Sequence, residues 1–248
     1  MEEKLLLCID DTDTLDSPGT GEVLDTLLAA LAEEGLGQGS FITRHQLLVH
    51  PDIPYTSHNS SMCTQVRTGD GAGVISFARA FLERTWVHGS DPGLCAVFPD
   101  RLTDPAGLLA FGQAAKERVL TKDDARALAE REPEGIFLSE HGGTGQGIIG
   151  ALAGCGLRLS GTDGRCRGKL YPNTVGERLT VAELIARGGV DCVADPEGKV
   201  LPGDTPLVFA RPCKAVFRRG LRLAVAKPRP DGAWELLAKQ DLPEVFLV

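Results

Sequence analysis

Asp10, Asp11, Asp13 and Asp16 crowd one short stretch of the chain, in the run Ile9-Asp10-Asp11-Thr12-Asp13-Thr14-Leu15-Asp16. Carboxylates this close repel one another, and the usual remedy is a hard cation such as Mg²⁺, held through one or two of them together with substrate phosphates. Immediately downstream stand Gly19, Thr20 and Gly21, at the start of a helical pattern. Backbone N–H groups there favour an anion. A cation site beside an anion site suits a metal-bound nucleotide, so Asp10, Asp11 and Asp13 are candidate metal ligands and catalytic groups, and Gly19, Thr20 and Gly21 a candidate phosphate cradle. The competing reading makes these aspartates solvated turn and cap residues.

Two further segments carry chemistry. Gly145-Gln146-Gly147-Ile148-Ile149-Gly150 is a literal G-x-G-x-x-G, with Asp163 downstream. A dinucleotide fold needs that motif to follow a strand directly, with another βαβ unit after it. Neither condition is met in the sequence. The remaining readings are a phosphate loop that includes Thr144, Gly145 and Gly147, or tight helix packing through Gly150 and Gly154. Residues 50–61, His-Pro-Asp-Ile-Pro-Tyr-Thr-Ser-His-Asn-Ser-Ser, form a polar loop stiffened by Pro51 and Pro54. His58 and Asn59 are its candidate contacts to an acceptor or a γ-phosphate.

These segments must be positioned by regular elements. Residues 4–9 read as a strand and 22–34 as a helix stopped by Gly35. Residues 40–49 and 62–67 read as strands, 72–87 as a helix and 95–98 as a short strand. This is the β-α-β-β-α-β order of a ferredoxin-like layer. Helices follow at 105–119 and 122–132, then a strand at 135–138, a short helix at 148–155 ended by Gly156, and a helix at 180–187 opened by a Thr180–Glu183 capping box. The remainder alternates apolar runs with turns and reads as mostly β. The expected class is α+β in two domains: a ferredoxin-like, nucleotide-binding half over 1–132 and a β-rich α+β half over 133–248.

Composition narrows the setting. The chain has 248 residues and a formal net charge of −8. No apolar run approaches the ~18 residues that a membrane span requires, and the N-terminus is too acidic and short for a signal peptide. The expected location is the cytoplasm, with no membrane partner. The seven cysteines show no Cys-x-x-Cys pair, so they read as isolated buried thiols rather than a zinc ribbon or disulfide framework. Residues 165–229 carry 13 Lys and Arg against 6 Asp and Glu, a candidate surface for tRNA or other RNA.

With these motifs in hand, the chain resembles the N-terminal part of the archaeal tRNA isoleucine agmatinylcytidine synthetases. The resemblance is carried by Ile9-Asp10-Asp11-Thr12-Asp13, by residues 51–55, and by Gly147-Ile148-Ile149-Gly150-Ala151-Leu152-Ala153. It covers residues 1 to about 160 and does not extend to that family's oligonucleotide-binding and zinc-ribbon portions. It implies a kinase-like nucleotide-binding domain followed by a ferredoxin-like one, ATP and Mg²⁺ as cofactors, and a tRNA cytidine activated by phosphorylation for attack by agmatine. Asp10, Asp11 and Asp13 match the family's metal and phosphate aspartates, and residues 19–21 its following loop. Four positions depart from the pattern. Glu22 stands where the family has a phosphorylated threonine, Thr56 and His58 where it has Lys and Arg, and Gln146 where it has Arg. Either the ligand then carries less charge, or Arg44, Arg67 or Lys169 supplies the missing charge from elsewhere. Together the loops imply one interdomain pocket lined by Asp10, Asp11, Asp13, His58, Asn59, Thr144 and Gly145.

Overall fold

An unbroken apolar strand must be covered on both faces, and the first strand is covered by helices on each. The structure, a computed structural model, describes residues 2–55, 58–168, 170, 175–243 and 246. The chain divides into two compact units, residues 1–160 and 161–248.

In chain order the first unit runs β1 (Glu3–Asp10), α1 (Thr20–Glu33), β2 (Gln38–Gly39), β3 (Thr43–Gln46), β4 (Ser60–Thr68), α2 (Gly71–Thr85), β5 (Gly93–Val97), α3 (Pro105–Glu117), α4 (Lys122–Arg131), β6 (Ile136–Glu140) and α5 (Gly147–Leu159). Its sheet has the order β6-β5-β1-β4-β3, with β2 also on β4. β1 is antiparallel to both neighbours, with Cys8 opposite Cys63 on β4 and Cys95 on β5. The order β5-β1-β4-β3 is that of a ferredoxin-like sheet, as the sequence pattern requires.

Alternation along β1 sorts its side chains. Leu5, Leu7 and Ile9 pack with Leu24, Leu27 and Leu31 of α1 and with Val74, Ala78, Phe81 and Leu82 of α2. Leu6 and Cys8 face the other way, into a core with Leu108 and Phe111 of α3, Leu128 of α4 and Ile148, Ala151, Leu152 and Cys155 of α5. A ferredoxin-like layer with helices on one face only would leave that second apolar face in water. This is why α5 belongs to the first unit, and why the division falls after Ser160 rather than at the expected 132. The same burial carries α5 through Gly156 to Leu159, past the end expected at Cys155. The strand expected over 40–49 is split between β2 and β3.

The second unit is mostly β, as expected. It runs β7 (Arg165–Cys166), β8 (Arg178–Thr180), α6 (Val181–Ala186), β9 (Cys192–Ala194), β10 (Pro206–Val208), β11 (Val216–Arg218), β12 (Leu221–Pro228) and β13 (Trp234–Leu236). Its strands follow the order β7-β11-β12-β13-β10-β8, with β9 parallel to β12. The Thr180–Glu183 capping box is present at α6. Much of the basic character of residues 165–229 is met internally: Arg178 and Arg229 pair with Asp231, Arg187 with Glu177, Arg211 with Asp241, Arg222 with Asp191 and Lys227 with Glu235. Among the described residues, no helix is long and apolar enough to cross a membrane.

Candidate functional site

Where β1 ends, the chain leaves the sheet through an uncommon backbone conformation. Asp11 has φ 51°, a left-handed geometry in which Asp is tolerated better than most residues. The turn keeps Asp10 under α5, leaves Asp11 and Asp13 half-buried at the end of the strand, and leads into α1. There Thr20 donates from Oγ1 to Asp13 Oδ1 at 2.5 Å.

Asp10, Asp11, Asp13 and Thr20 share a cleft with the polar loop (Asp52, Tyr55, His58, Asn59, Ser60), the end of α3 (Ala115, Arg118) and the start of α5 (Gln146, Gly147, Ile149, Gly150). The cavity proper is about 100 Å³, and its open mouth brings the empty space to about 830 Å³. Every lining residue belongs to the first unit, so the expected interdomain pocket is instead a cleft within one unit. The proline-stiffened loop contributes Ile53 and Pro54 to the cleft wall. Thr56 and Ser57 lie outside the described residues, as does Lys169.

The electrostatics are those of crowded, partly buried carboxylates. Burial pushes the Asp10 carboxyl well above its ordinary range, and the charges of Asp11 and Asp13 push it further. Asp11 is pushed up to about 6, first by burial and then by Asp91 and Asp13. Thr12 is buried beside them, and its Oγ1 has no hydrogen-bond partner among the described residues. A donor set made wholly of hard oxygen atoms fits Mg²⁺. Two helix N-termini, whose partial positive charge favours an anion, open on the same cleft: α1 at Thr20 and α5 at Gln146 and Gly147, neither capped by a side chain. Among the described lining residues the sole Lys or Arg is Arg118.

The glycine loop behaves differently from expectation. Thr144 and Gly145 do not line the cleft. Thr144 Oγ1 donates to Asp91 Oδ2 at 2.5 Å, and the Gly145 N–H donates to Asp91 Oδ1. The anion-binding turn is thus filled by the protein's own carboxylate. Asp91 in turn donates its backbone N–H to the Asp11 carbonyl at 2.9 Å, which ties the glycine loop to the aspartate cluster. Gly147 and Gly150 serve close packing: a Cβ on Gly147 would sit 2.1 Å from the Asp91 carbonyl oxygen, and one on Gly150 1.7 Å from Asp10 Oδ2. Packing is therefore the reading of the G-x-G-x-x-G motif that these contacts favour.

The other candidates divide. His58 and Asn59 reach the cleft, although Asn59 also donates from Nδ2 to the Leu48 carbonyl at 2.6 Å and so holds its loop. Thr20 lines the cleft, Gly21 is buried within the first turn of α1, and Gly19 and Asp16 are exposed outside it. Arg44 donates to Ser60 at the cleft's edge, and Arg67 pairs opposite Lys4 at the far end of β1 from Asp10. Asp91 and Arg118 were not foreseeable as site residues. The Ser90-Asp91-Pro92-Gly93 turn reads as punctuation before a strand, and nothing in the sequence marks the end of α3.

The fold and site together define a ferredoxin-like α+β unit with an acidic cleft opened by two helix N-termini. No protein-family model matches the chain, and no curated protein matches it. Solved structures do. TiaS in complex with its isoleucine tRNA and ATP is 24% identical, with TM-score 0.54 over 62% of this chain and 36% of that one. Apo TiaS, an agmatidine synthetase for the same tRNA, is 17% identical, with TM-score 0.54 over 92% and 66%. The complex of TiaS with that tRNA, AMPCPP and agmatine is 21% identical, with TM-score 0.53 over 73% and 43%. The chain thus shares the fold of these proteins and spans between about a third and two thirds of their length.

Proposed function

We propose that the protein is a Mg²⁺-dependent, ATP-using enzyme of the phosphotransferase or ligase type that acts on tRNA. The observation that carries this reading is the meeting, in one cleft, of the buried aspartates with two uncapped helix N-termini. Asp10, Asp11 and Asp13 would hold the ion, whose chemistry is to neutralise charge on phosphate oxygens. Thr20 fixes Asp13, and the N-termini of α1 and α5 favour the phosphate charge. His58 and Asn59, at the mouth, are placed to meet the acceptor or the γ-phosphate. The second unit is the candidate surface for RNA: it carries 14 Lys and Arg against 11 Asp and Glu, whereas the first carries 12 against 23.

Titration calorimetry of ATP with and without Mg²⁺ tests this directly. The metal should strengthen binding, and Asp11→Asn should abolish the gain; equal affinities in the two buffers would sink the proposal. A second reading, a module that binds nucleotide or RNA without turnover, is favoured by Arg118 being the sole Lys or Arg among the described lining residues, since arginines supply much of the rate in phosphoryl transfer. ATP consumption in the presence of tRNA and agmatine separates the two. Retention of bulk tRNA on filters that weakens steeply with salt would support the RNA partner.

A further inference from the structure

The cysteines do not stay isolated when the chain folds. Cys8 on β1, Cys63 on β4 and Cys155 on α5 are fully buried, and their Sγ atoms all lie within 4.8 Å of one another. Three thiolates on one tetrahedral Zn²⁺, with Zn–S bonds of about 2.3 Å, stand roughly 3.8 Å apart, so only small side-chain adjustments are needed. The cluster is distinct from the cleft and lies deeper, under the middle of α5.

A second observation points to a ligand there. Ser61 is fully buried and its Oγ has no hydrogen-bond partner among the described residues. It lies beside the Cys8 thiol, because a Cβ on Gly154 would sit 2.4 Å from Ser61 Oγ and 2.5 Å from Cys8 Sγ. A buried hydroxyl without a partner costs roughly 1–3 kcal/mol unless something satisfies it. Cys95, opposite Cys8 on β5, brings a fourth thiol to the neighbourhood, and the Cys155 thiol points to its carbonyl.

We propose that Cys8, Cys63 and Cys155 bind one Zn²⁺ ion, with Ser61 Oγ beside the fourth position. Three S–H bonds break, three S–Zn bonds form and three protons leave to solvent; nothing is oxidised or reduced. The ion would staple α5 to the two central strands, just below the point where Gly150 lies on Asp10.

The test uses the full chain, refolded under reducing conditions with excess Zn²⁺ or Cd²⁺ and then desalted. Elemental analysis should find about one equivalent of metal per chain, and the Cd²⁺ form should show the ultraviolet thiolate-to-cadmium charge-transfer band. Both signals should persist in Cys213→Ser, a buried thiol of the second unit, and in Asp11→Asn, which removes a carboxylate of the cleft. Both should be lost in Cys155→Ser. Should Cys155→Ser fail to fold, displacement of Cd²⁺ from the wild-type protein by a chromophoric chelator, with parallel loss of the band, gives the same answer. Wild-type protein that retains no metal, or retains it without the thiolate band, would overturn the proposal, as would a Cys8–Cys63 disulfide persisting under the reductant.

Discussion

The two faces of the first unit's sheet are built from different materials. Toward α1 and α2 the strands present Leu5, Leu7, Ile9, Leu94 and Ala96 against long aliphatic and aromatic side chains. Toward α5 they present Cys8, Cys63, Cys95 and Asp10, and the helix answers with Gly147, Gly150 and Gly154. On the first face, bulk excludes water and stabilises by about 25 cal/mol for each Å² of apolar surface buried. On the second, small residues let a helix come close enough to touch strand backbone and carboxylate. Of the buried side-chain polar atoms without a hydrogen-bond partner among the described residues, Thr12 Oγ1 and Ser61 Oγ gather around or at the end of that thin face, close to the buried Asp10, and the third, His141 Nδ1, lies towards α2. One face carries stability, and the other accepts strain in exchange for chemistry.

Substitutions should separate the two. The largest effect is expected at Gly147, where a methyl group would meet backbone atoms, the Asp91 carbonyl at 2.1 Å and the Gly93 nitrogen at 2.6 Å. Gly147→Ala should cost more than about 3 kcal/mol in a denaturant titration; a variant within about 0.5 kcal/mol of wild type, the range of an ordinary surface substitution, would mean that the close packing is not real. On the bulky face, Leu27→Ala removes a fully buried side chain and should cost about 3 kcal/mol, while the folded fraction binds Mg²⁺–ATP with unchanged affinity. At Gly150 the obstacle is a side chain, Asp10 Oδ2, which can turn away. Gly150→Ala should therefore cost only about 1–2 kcal/mol, yet weaken metal-dependent nucleotide binding about tenfold by displacing Asp10. If stability fell without any change in binding, the thin face would be a packing device and no more.

The bulky face was legible in the sequence because it is periodic. The apolar positions of 4–9, 22–34 and 72–87 repeat at strand and helix spacing, and the ferredoxin-like order follows from them. The thin face was legible only in pieces. Asp10, Asp11 and Asp13 are local in the chain and could be read as a site, but Cys8, Cys63 and Cys155 are brought together by strand register and by a helix far along the sequence, and no spacing rule connects them. Asp91 was invisible for the same reason. Its roles, filling the glycine loop and raising Asp11, exist only once β5 lies beside β1. The glycine motif misled because glycines that permit close packing look the same in a sequence as glycines that cradle a phosphate.

The smallest expected effect is a pH dependence of opposite sign at the two sides of the sheet. His141 follows β6, pairs through Nε2 with Ser139 Oγ at 2.7 Å, and leaves Nδ1 without a hydrogen bond, 3.9 Å from Glu83 on α2. Burial holds its pKa below the ordinary value; Glu83 works against this and Arg79 with it. A histidine whose folded pKa is lowered binds its proton more readily when unfolded. Its contribution to stability is complete above the unfolded pKa of about 6.5 and is lost as the pH falls below it. Asp11, at about 6, does the reverse: its folded pKa is raised, so acidification from about pH 6 towards about 4 relieves the metal-free protein. The two overlap, and the wild-type curve alone will look flat. Stability measured from about pH 7 to about pH 5 should therefore fall more in wild type than in His141→Asn, by less than the single-proton ceiling of about 1.4 kcal/mol per pH unit. Glu83→Gln should steepen the wild-type fall, because the charge that eases protonation of His141 is gone. Parallel curves for all three proteins would show that His141 titrates alike in the fold and in the unfolded chain, and that the contrast between the faces has no titrating counterpart on the bulky side.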